Sequence, residues 1–162
     1  MSNASKKNPE KIMVFGVFDG LHPGHLNFFR QARRLTRRPC LVVSVARDRN
    51  VIRLKGRRSN FGERKRMALL KECKFADKVV LSGKDNHLSH ILKVKPEIIA
   101  LGYDQKTYVK NLKKDLKNKG LLVKIVRLKP YKEKIYKSSL LYRTSSSRSV
   151  IQSPARRTAP KT

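Results

Sequence analysis

The sequence predicts an α/β protein, a Rossmann-like, doubly wound, parallel five-stranded sheet flanked by helices. Three observations predict it. Short apolar runs alternate along the chain with longer segments of helical periodicity. The run Cys40–Ala46 is apolar apart from Ser44, as expected for a parallel strand covered on both faces. Open sheets of this kind bind ligands beyond the strand C-termini, where the strand order reverses. The densest chemistry of this chain, around residues 16–25, follows the first strand directly.

The first strand is Ile12–Phe18, stopped by the turn pair Asp19-Gly20. Helix 23–36 comes next, with Leu26, Phe29, Ala32 and Leu35 on one stripe and Arg30, Arg33 and Arg34 opposite. Strand Cys40–Ala46 is followed by a polar, Arg-rich loop over 47–60, and then by helix 61–74 carrying Phe61, Met67, Leu70 and Cys73. Strand Lys78–Leu81, a short helix near 86–93 and strand Glu97–Leu101 continue the alternation. Helix 105–118 places Tyr108, Leu112 and Leu116 in register, and Gly120 suits the left-handed position just past its end. Leu121–Val126 is the fifth strand. Residues 1–11 are a polar leading segment, 12–142 form the domain, and 143–162 are a basic tail rich in Ser, Arg and Pro that reads as disordered.

At 162 residues with 39% apolar content the chain fits one domain with a substantial core. No apolar run approaches the ~18 residues of a membrane span, and Met1–Lys11 lacks a signal-peptide core. Cys40 and Cys73 form no metal or redox pattern, so a reduced, cytoplasmic protein is the expectation. Forty basic residues against eleven acidic ones give a formal charge of +29. Only five of those basic residues lie in 142–162, so the tail does not account for the excess. Such a field draws in nucleotides and phosphorylated substrates, and draws nucleic acid without sequence preference.

A strand that runs into a helix start makes an anion site, because unpaired N–H groups and the positive end of the helix dipole point the same way. Here the helix opens with His22-Pro23-Gly24-His25. Pro23 presets φ for the first turn, and Gly24 lets a phosphate approach the backbone. His22 and His25, three apart, share one face and can reach one bound group. Gly16-Val17-Phe18-Asp19 followed by His22-Pro23-Gly24-His25 resembles the signature of the nucleotidylyltransferase superfamily (cytidylyltransferase-like). Within it, Gly102-Tyr103-Asp104-Gln105 resembles the archaeal-type FAD synthases, that is FMN adenylyltransferases.

The resemblance covers residues 12 to about 141 and implies roles for particular residues. His22 and His25 are expected to donate hydrogen bonds to the nucleotide phosphates, with Val17, Phe18, Pro23 and Gly24 lining the same site. Lys55, in a mobile cationic loop, is expected to reach the triphosphate or the acceptor phosphate. Arg66, eleven residues before Asp77, is expected to grip the acceptor phosphate through its two-pronged guanidinium. Asp104 is expected on the nucleotide, although capping helix 105–118 is an alternative role. Tyr131 is expected to stack on the base, and Ser138 and Ser139 to hold phosphates at a final helix start. The sequence becomes polar after Tyr142, which leaves that last helix short or absent. His87 and His90 repeat the three-residue spacing without a preceding strand or glycine turn, so they read as a surface helix. Gly83-Lys84 lacks the rest of a P-loop.

A phosphate nucleophile is already ionised near neutral pH, so nucleotidyl transfer asks for alignment and charge neutralisation more than for a strong base. The resemblance therefore implies transfer of AMP from ATP to FMN, giving FAD and pyrophosphate. Mg²⁺ is expected to arrive with the nucleotide, with no protein metal ligands. Two other readings stay open: a cytidylyltransferase activating a polyol or sugar phosphate with CTP, and an RNA-binding protein that kept the fold and lost catalysis. Members of the superfamily are often dimers, so a homodimer is also an expectation.

Overall fold

The first strand is buried on both faces, and its composition follows from that. In the computed structural model, which describes residues 8–84, 87–103, 105 and 111–131, β1 spans Glu10–Gly16. Ile12 and Val14 enter one hydrophobic cluster, Met13 and Phe15 the other. Alternate side chains point to opposite faces of a strand, so a central parallel strand is apolar at every position. The remaining strands are β2 (Pro39–Val45), β3 (Lys78–Leu81), β4 (Ile98–Leu101) and β5 (Lys124–Arg127). They form a single sheet in the order β3-β2-β1-β4-β5, and every pair is parallel. The order reverses between β1 and β4, so the ligand-binding crevice of such a sheet lies at their C-terminal ends.

Helices cover both faces. On the first, α1 (Pro23–Arg33) and α3 (Glu63–Glu72) contribute Phe29, Ala32 and Leu70 to the cluster around Val14, Val43 and Ala100. On the second, α4 (His87–Val94) and α5 (Leu112–Asn118) bring Ile91, Leu112 and Leu116 against Met13, Phe15 and Ile99. Each fully buried Leu, Ile or Phe contributes about 1.5–3 kcal/mol, so these two clusters dominate the stabilisation. α5 ends as its glycine foretells. Gly120 takes φ +86°, its N–H donates to the Lys117 carbonyl, and that of Leu121 donates to Leu116.

Several boundaries differ from the sequence expectation. The segment 47–60 is not all loop, because α2 occupies Asp48–Lys55 and Gly56 ends it at φ +72°. Only Asn50 and Val51 of α2 are buried, so it carries too little apolar periodicity to be visible in the sequence. The first strand begins at Glu10 and stops at Gly16, two residues before Phe18. The fifth begins at Lys124, since the chain spends Leu121–Val123 leaving α5. Gln105 stands outside any helix; residues 106–110 lie outside the described part of the chain, and α5 begins at Leu112. Asp104, Ser138, Ser139 and the tail 143–162 also lie outside it. Among the described residues no helix is long and apolar enough to cross a membrane, and Cys40 and Cys73 are free thiols.

Candidate active site

The site is built where β1 gives way to α1. Phe18 sits at φ +52°, a left-handed conformation rare for a bulky side chain, and its ring folds back into the core. There it meets Phe29 at 5.4 Å and presents its edge to His25 at 5.4 Å. Gly16 makes this possible: a Cβ there would lie 2.8 Å from Phe18 Cζ. Phe18 thus serves as the packed floor beneath the histidines. Gly20, at φ +92°, completes the turn and returns its N–H to the Phe18 carbonyl.

His22 is the N-cap of α1, with extended backbone, and its Nδ1 accepts from the Gly24 N–H at 3.1 Å. Pro23 occupies the first turn, where its missing N–H costs nothing. With Nδ1 acting as acceptor, the neutral imidazole of His22 carries its proton on Nε2. The His22 and His25 rings stack at 3.8 Å, and His22 is only 8% exposed. Burial pushes the His22 pKa down to about 4. Burial and the adjacent His22 push His25 down to about 3, against a backbone hydrogen bond with Gly20 that acts the other way. Both rings are therefore neutral at physiological pH. The first turn of α1 holds no acidic residue, so its N–H groups face a site with positive potential.

These shifts predict how stability depends on pH. The folded pKa values lie below the ordinary 6.5, so the unfolded chain binds more protons. The histidine contribution is complete above about pH 6.5 and is lost as pH falls towards about 4 for His22 and about 3 for His25. Melting temperature should fall between pH 7 and 5, and should fall less in a His22→Asn/His25→Asn double variant. Parallel slopes for the two proteins would refute it.

Two residues, Asp19 and Arg66, tie this turn to the rest of the domain. Asp19 was not singled out. Its Oδ1 accepts from the Phe61 N–H at 2.8 Å, and its Oδ2 from the Asn60 N–H and side-chain amide at 2.6 and 3.0 Å. It thereby fixes the entry to α3. Arg66, expected on the acceptor phosphate, is enclosed among protein partners in this structure. Its side chain has no solvent exposure. It donates to the carbonyls of Phe61, Val17 and Ala46 and pairs with Asp48 at 2.7 Å. Burial raises the Asp48 pKa, but hydrogen bonds from Arg66 and the Glu63 N–H and the charges of Arg66 and Arg58 outweigh it, so the carboxyl titrates below its usual range. Arg66 clamps the ends of β1 and β2 to α3; its signal in the sequence was Asp48, eighteen residues earlier.

The other expected residues fall as follows. Val17 offers its carbonyl to Arg66 at 2.8 Å. Lys55 is the exposed last residue of α2, not part of a mobile loop. Tyr131, 36% exposed, follows β5 on a segment that reaches α1, where Gln31 accepts from the Lys129 N–H at 3.0 Å and donates to its carbonyl at 2.9 Å. Gln105 bridges the diverging strands, donating to the Phe15 carbonyl at 2.7 Å and accepting from the Gly102 N–H at 2.8 Å. Arg127 secures the same turn through the carbonyls of Gly102 and Gln105. His87 and His90 are not on a solvent face. His87 stands edge-on to Phe15 at 5.7 Å, and His90 Nε2 shares a 2.9 Å hydrogen bond with Ser44 Oγ.

A parallel sheet that reverses at β1, with neutral paired histidines on a helix N-terminus beyond it, defines an α/β domain for handling nucleotide phosphates. Comparison with known proteins agrees. The family model "Cytidylyltransferase-like" matches residues 13–151. A FAD synthase of Aciduliprofundum boonei is 44% identical over 121 residues, 75% of this chain and 79% of that protein. A FAD synthase of Thermoplasma volcanium is 38% identical over 129 residues, 80% of this chain and 89% of that protein. The crystal structure of a protein described as the lipopolysaccharide core biosynthesis protein from Thermoplasma volcanium GSS1 superposes with a TM-score of 0.70. It shares 38% identity and covers 76% of this chain and 99% of that one. The chain belongs to the cytidylyltransferase-like family, and it is an enzyme of the nucleotidyltransferase type.

Proposed function

We propose that the protein is an FMN adenylyltransferase, transferring AMP from ATP to FMN to make FAD. The observation that carries this is the His22–His25 stack on the N-terminus of α1, in a chain 44% identical to a FAD synthase. An oxygen of the FMN phosphate attacks the α-phosphorus of ATP. A new P–O bond forms as the bond to the β-phosphate oxygen breaks, and pyrophosphate leaves with that electron pair. His22 Nε2–H, the N–H groups of α1 and His25 stabilise the charge that builds on the phosphates. Phe18 holds the histidine rings at the height the phosphates need, and Tyr131 stacks on the adenine.

Magnesium enters as part of the substrate, on the ATP phosphates. Both Asp19 oxygens and both Asp48 oxygens already accept protein hydrogen bonds. No group of three His, Cys, Asp or Glu side chains among the described residues is arranged to hold an ion. The reaction belongs in the cytoplasm, where ATP and FMN meet. The charge of +29 favours weak, salt-sensitive nucleic acid contacts beside this activity.

The test is pyrophosphate release from ATP or CTP in the presence of FMN, glycerol phosphate or a sugar phosphate. FAD formation from FMN and ATP is expected, with CTP poorer by tens of fold, since base stacking is worth only ~1–3 kcal/mol. Turnover of a polyol or sugar phosphate with CTP, and none of FMN with ATP, would transfer the protein to the cytidylyltransferase reading. Tight binding of one RNA at physiological salt with no turnover would favour the binding-protein reading.

A further inference from the structure

Among the described residues the most exposed large apolar side chain is Leu122, 79% exposed, in the connection between α5 and β5. Gly120 sets its path by turning the chain out of α5, and the Leu121 N–H closes that turn on the Leu116 carbonyl. Leu121, Leu122 and Val123 then line a groove of about 370 Å³ together with Lys113 and Lys117 of α5 and Lys124 of β5. Lys113 and Lys117, four apart, are neighbours on the helix surface. Two nearby acids do not answer them. Asp115 lies two residues from each lysine and so on the other flank of α5, and the Glu97 carboxylate accepts from the Lys11 N–H. The groove has an apolar floor and a rim of one sign.

Beside it, β5 forms one edge of the sheet and pairs only with β4 among the described residues. The N–H groups of Lys124 and Leu128 donate to the carbonyls of Glu97 and Leu101, so those of Ile125 and Arg127, at the alternate positions, face the outer edge. Such an edge is a template for another extended chain. Charge decides which chain. A second copy carries +29 and would set Lys124 and Arg127 against themselves, and residues 132–162 hold eight basic residues and one acid, so both share the sign of the rim. A nucleic acid supplies the opposite charge but leaves the apolar floor unmatched, and a flat lipid surface does not fill a groove. An acidic peptide meets all three features: carboxylates for the lysines, an apolar side chain for the floor and a main chain for the edge.

We infer that this groove docks an extended acidic segment of another protein, with an apolar side chain of the partner seated against Leu122 and its main chain beside β5. Lys124 opens β5, in register with Ile98 at the start of β4, whereas His22 and His25 lie beyond the C-terminal end of β1. All five strands are parallel, so the groove and the histidines occupy opposite ends of the sheet. A partner docked here leaves the histidine site open, and the inference stands apart from the proposed reaction.

The experiment titrates two fluorescein-labelled Glu-rich peptides against the full chain at physiological salt, one with a central Leu-Val pair and one with Ser-Ser in its place, and follows anisotropy. Wild type should bind the Leu-Val peptide on the order of 10-fold more tightly, the effect of burying apolar side chains. Leu122→Ser should erase that preference and leave turnover unchanged. Lys113→Glu/Lys117→Glu should weaken both peptides on the order of 10-fold or more. Lys71→Glu/Lys78→Glu, an equal change of charge by the β3 edge of the sheet, should have a much smaller effect, because salt screens distant charges. All five positions are exposed, so the variants keep the fold. Equal affinity for the two peptides, or equal losses in the two charge-reversed pairs, would reduce the binding to the general attraction of a chain of charge +29 and overturn the inference. So would Leu122-dependent binding of phosphatidylglycerol vesicles with no preference between the peptides, or a wild-type dimer that Leu122→Ser dissociates.

Discussion

Replacing His22 with asparagine should lower kcat on the order of 10²–10³-fold with little loss of stability. The amide oxygen of asparagine keeps an acceptor for the Gly24 N–H, so the N-cap of α1 survives. On the proposed reading the Nε2–H donor to the phosphates disappears, and removing one donor from a preorganised charge-stabilising site typically costs that much in rate. His25→Asn should show a loss of similar size, with a larger fall in melting temperature because its ring packs on Phe18 and His22. His22→Ala loses cap and donor together, adding about 1 kcal/mol of destabilisation. Steady-state kinetics beside thermal melts separate the two effects. Near-normal kcat in folded His22→Asn/His25→Asn would remove the site from α1.

Arg66→Ala should destabilise the domain by about 3–5 kcal/mol, because three carbonyls lose their donor at about 1–3 kcal/mol each, while Asp48, 46% exposed, turns to water. Asp48 and the carbonyls of Phe61, Val17 and Ala46 all lose a donor, and three of the four are backbone groups that cannot turn to water. For a domain of this size that is a fall in melting temperature on the order of 10–20 °C. Arg66→Lys should recover only part of it, because an ammonium cannot span the three directions the guanidinium serves. A residue gripping the acceptor would behave otherwise, with normal melting and a raised acceptor KM. That pattern would show that Arg66 leaves its clamp during catalysis.

The contrast between His22 and Arg66 shows where the sequence was legible. His22-Pro23-Gly24-His25 is a local device: cap, first turn and paired rings lie within four residues, so spacing alone placed them on one helix start. Arg66 was equally conspicuous in the sequence, but its partners lie at positions 17, 46, 48 and 61, and a guanidinium is as fit for carbonyls as for phosphate. Helix α2 stayed hidden for a different reason. It buries Asn50 and Val51 and turns its remaining residues outwards, so no apolar stripe marks it.

By itself the sequence determined the alternation of five strands with helices, the apolar central strands, the helix start that holds the two histidines and the Gly120 stop. All of these are written in neighbours a few residues apart. Only the tertiary structure decided that Phe18 folds beneath His25, that Asp19 and Gln105 brace the turns, that Arg66 is a clamp and that His87 and His90 face inwards. Each of these depends on which chain segments the sheet order β3-β2-β1-β4-β5 brings side by side. A polar side chain's role is set by the partners within hydrogen-bond reach once the strands have paired, and that information is not local to its position in the chain.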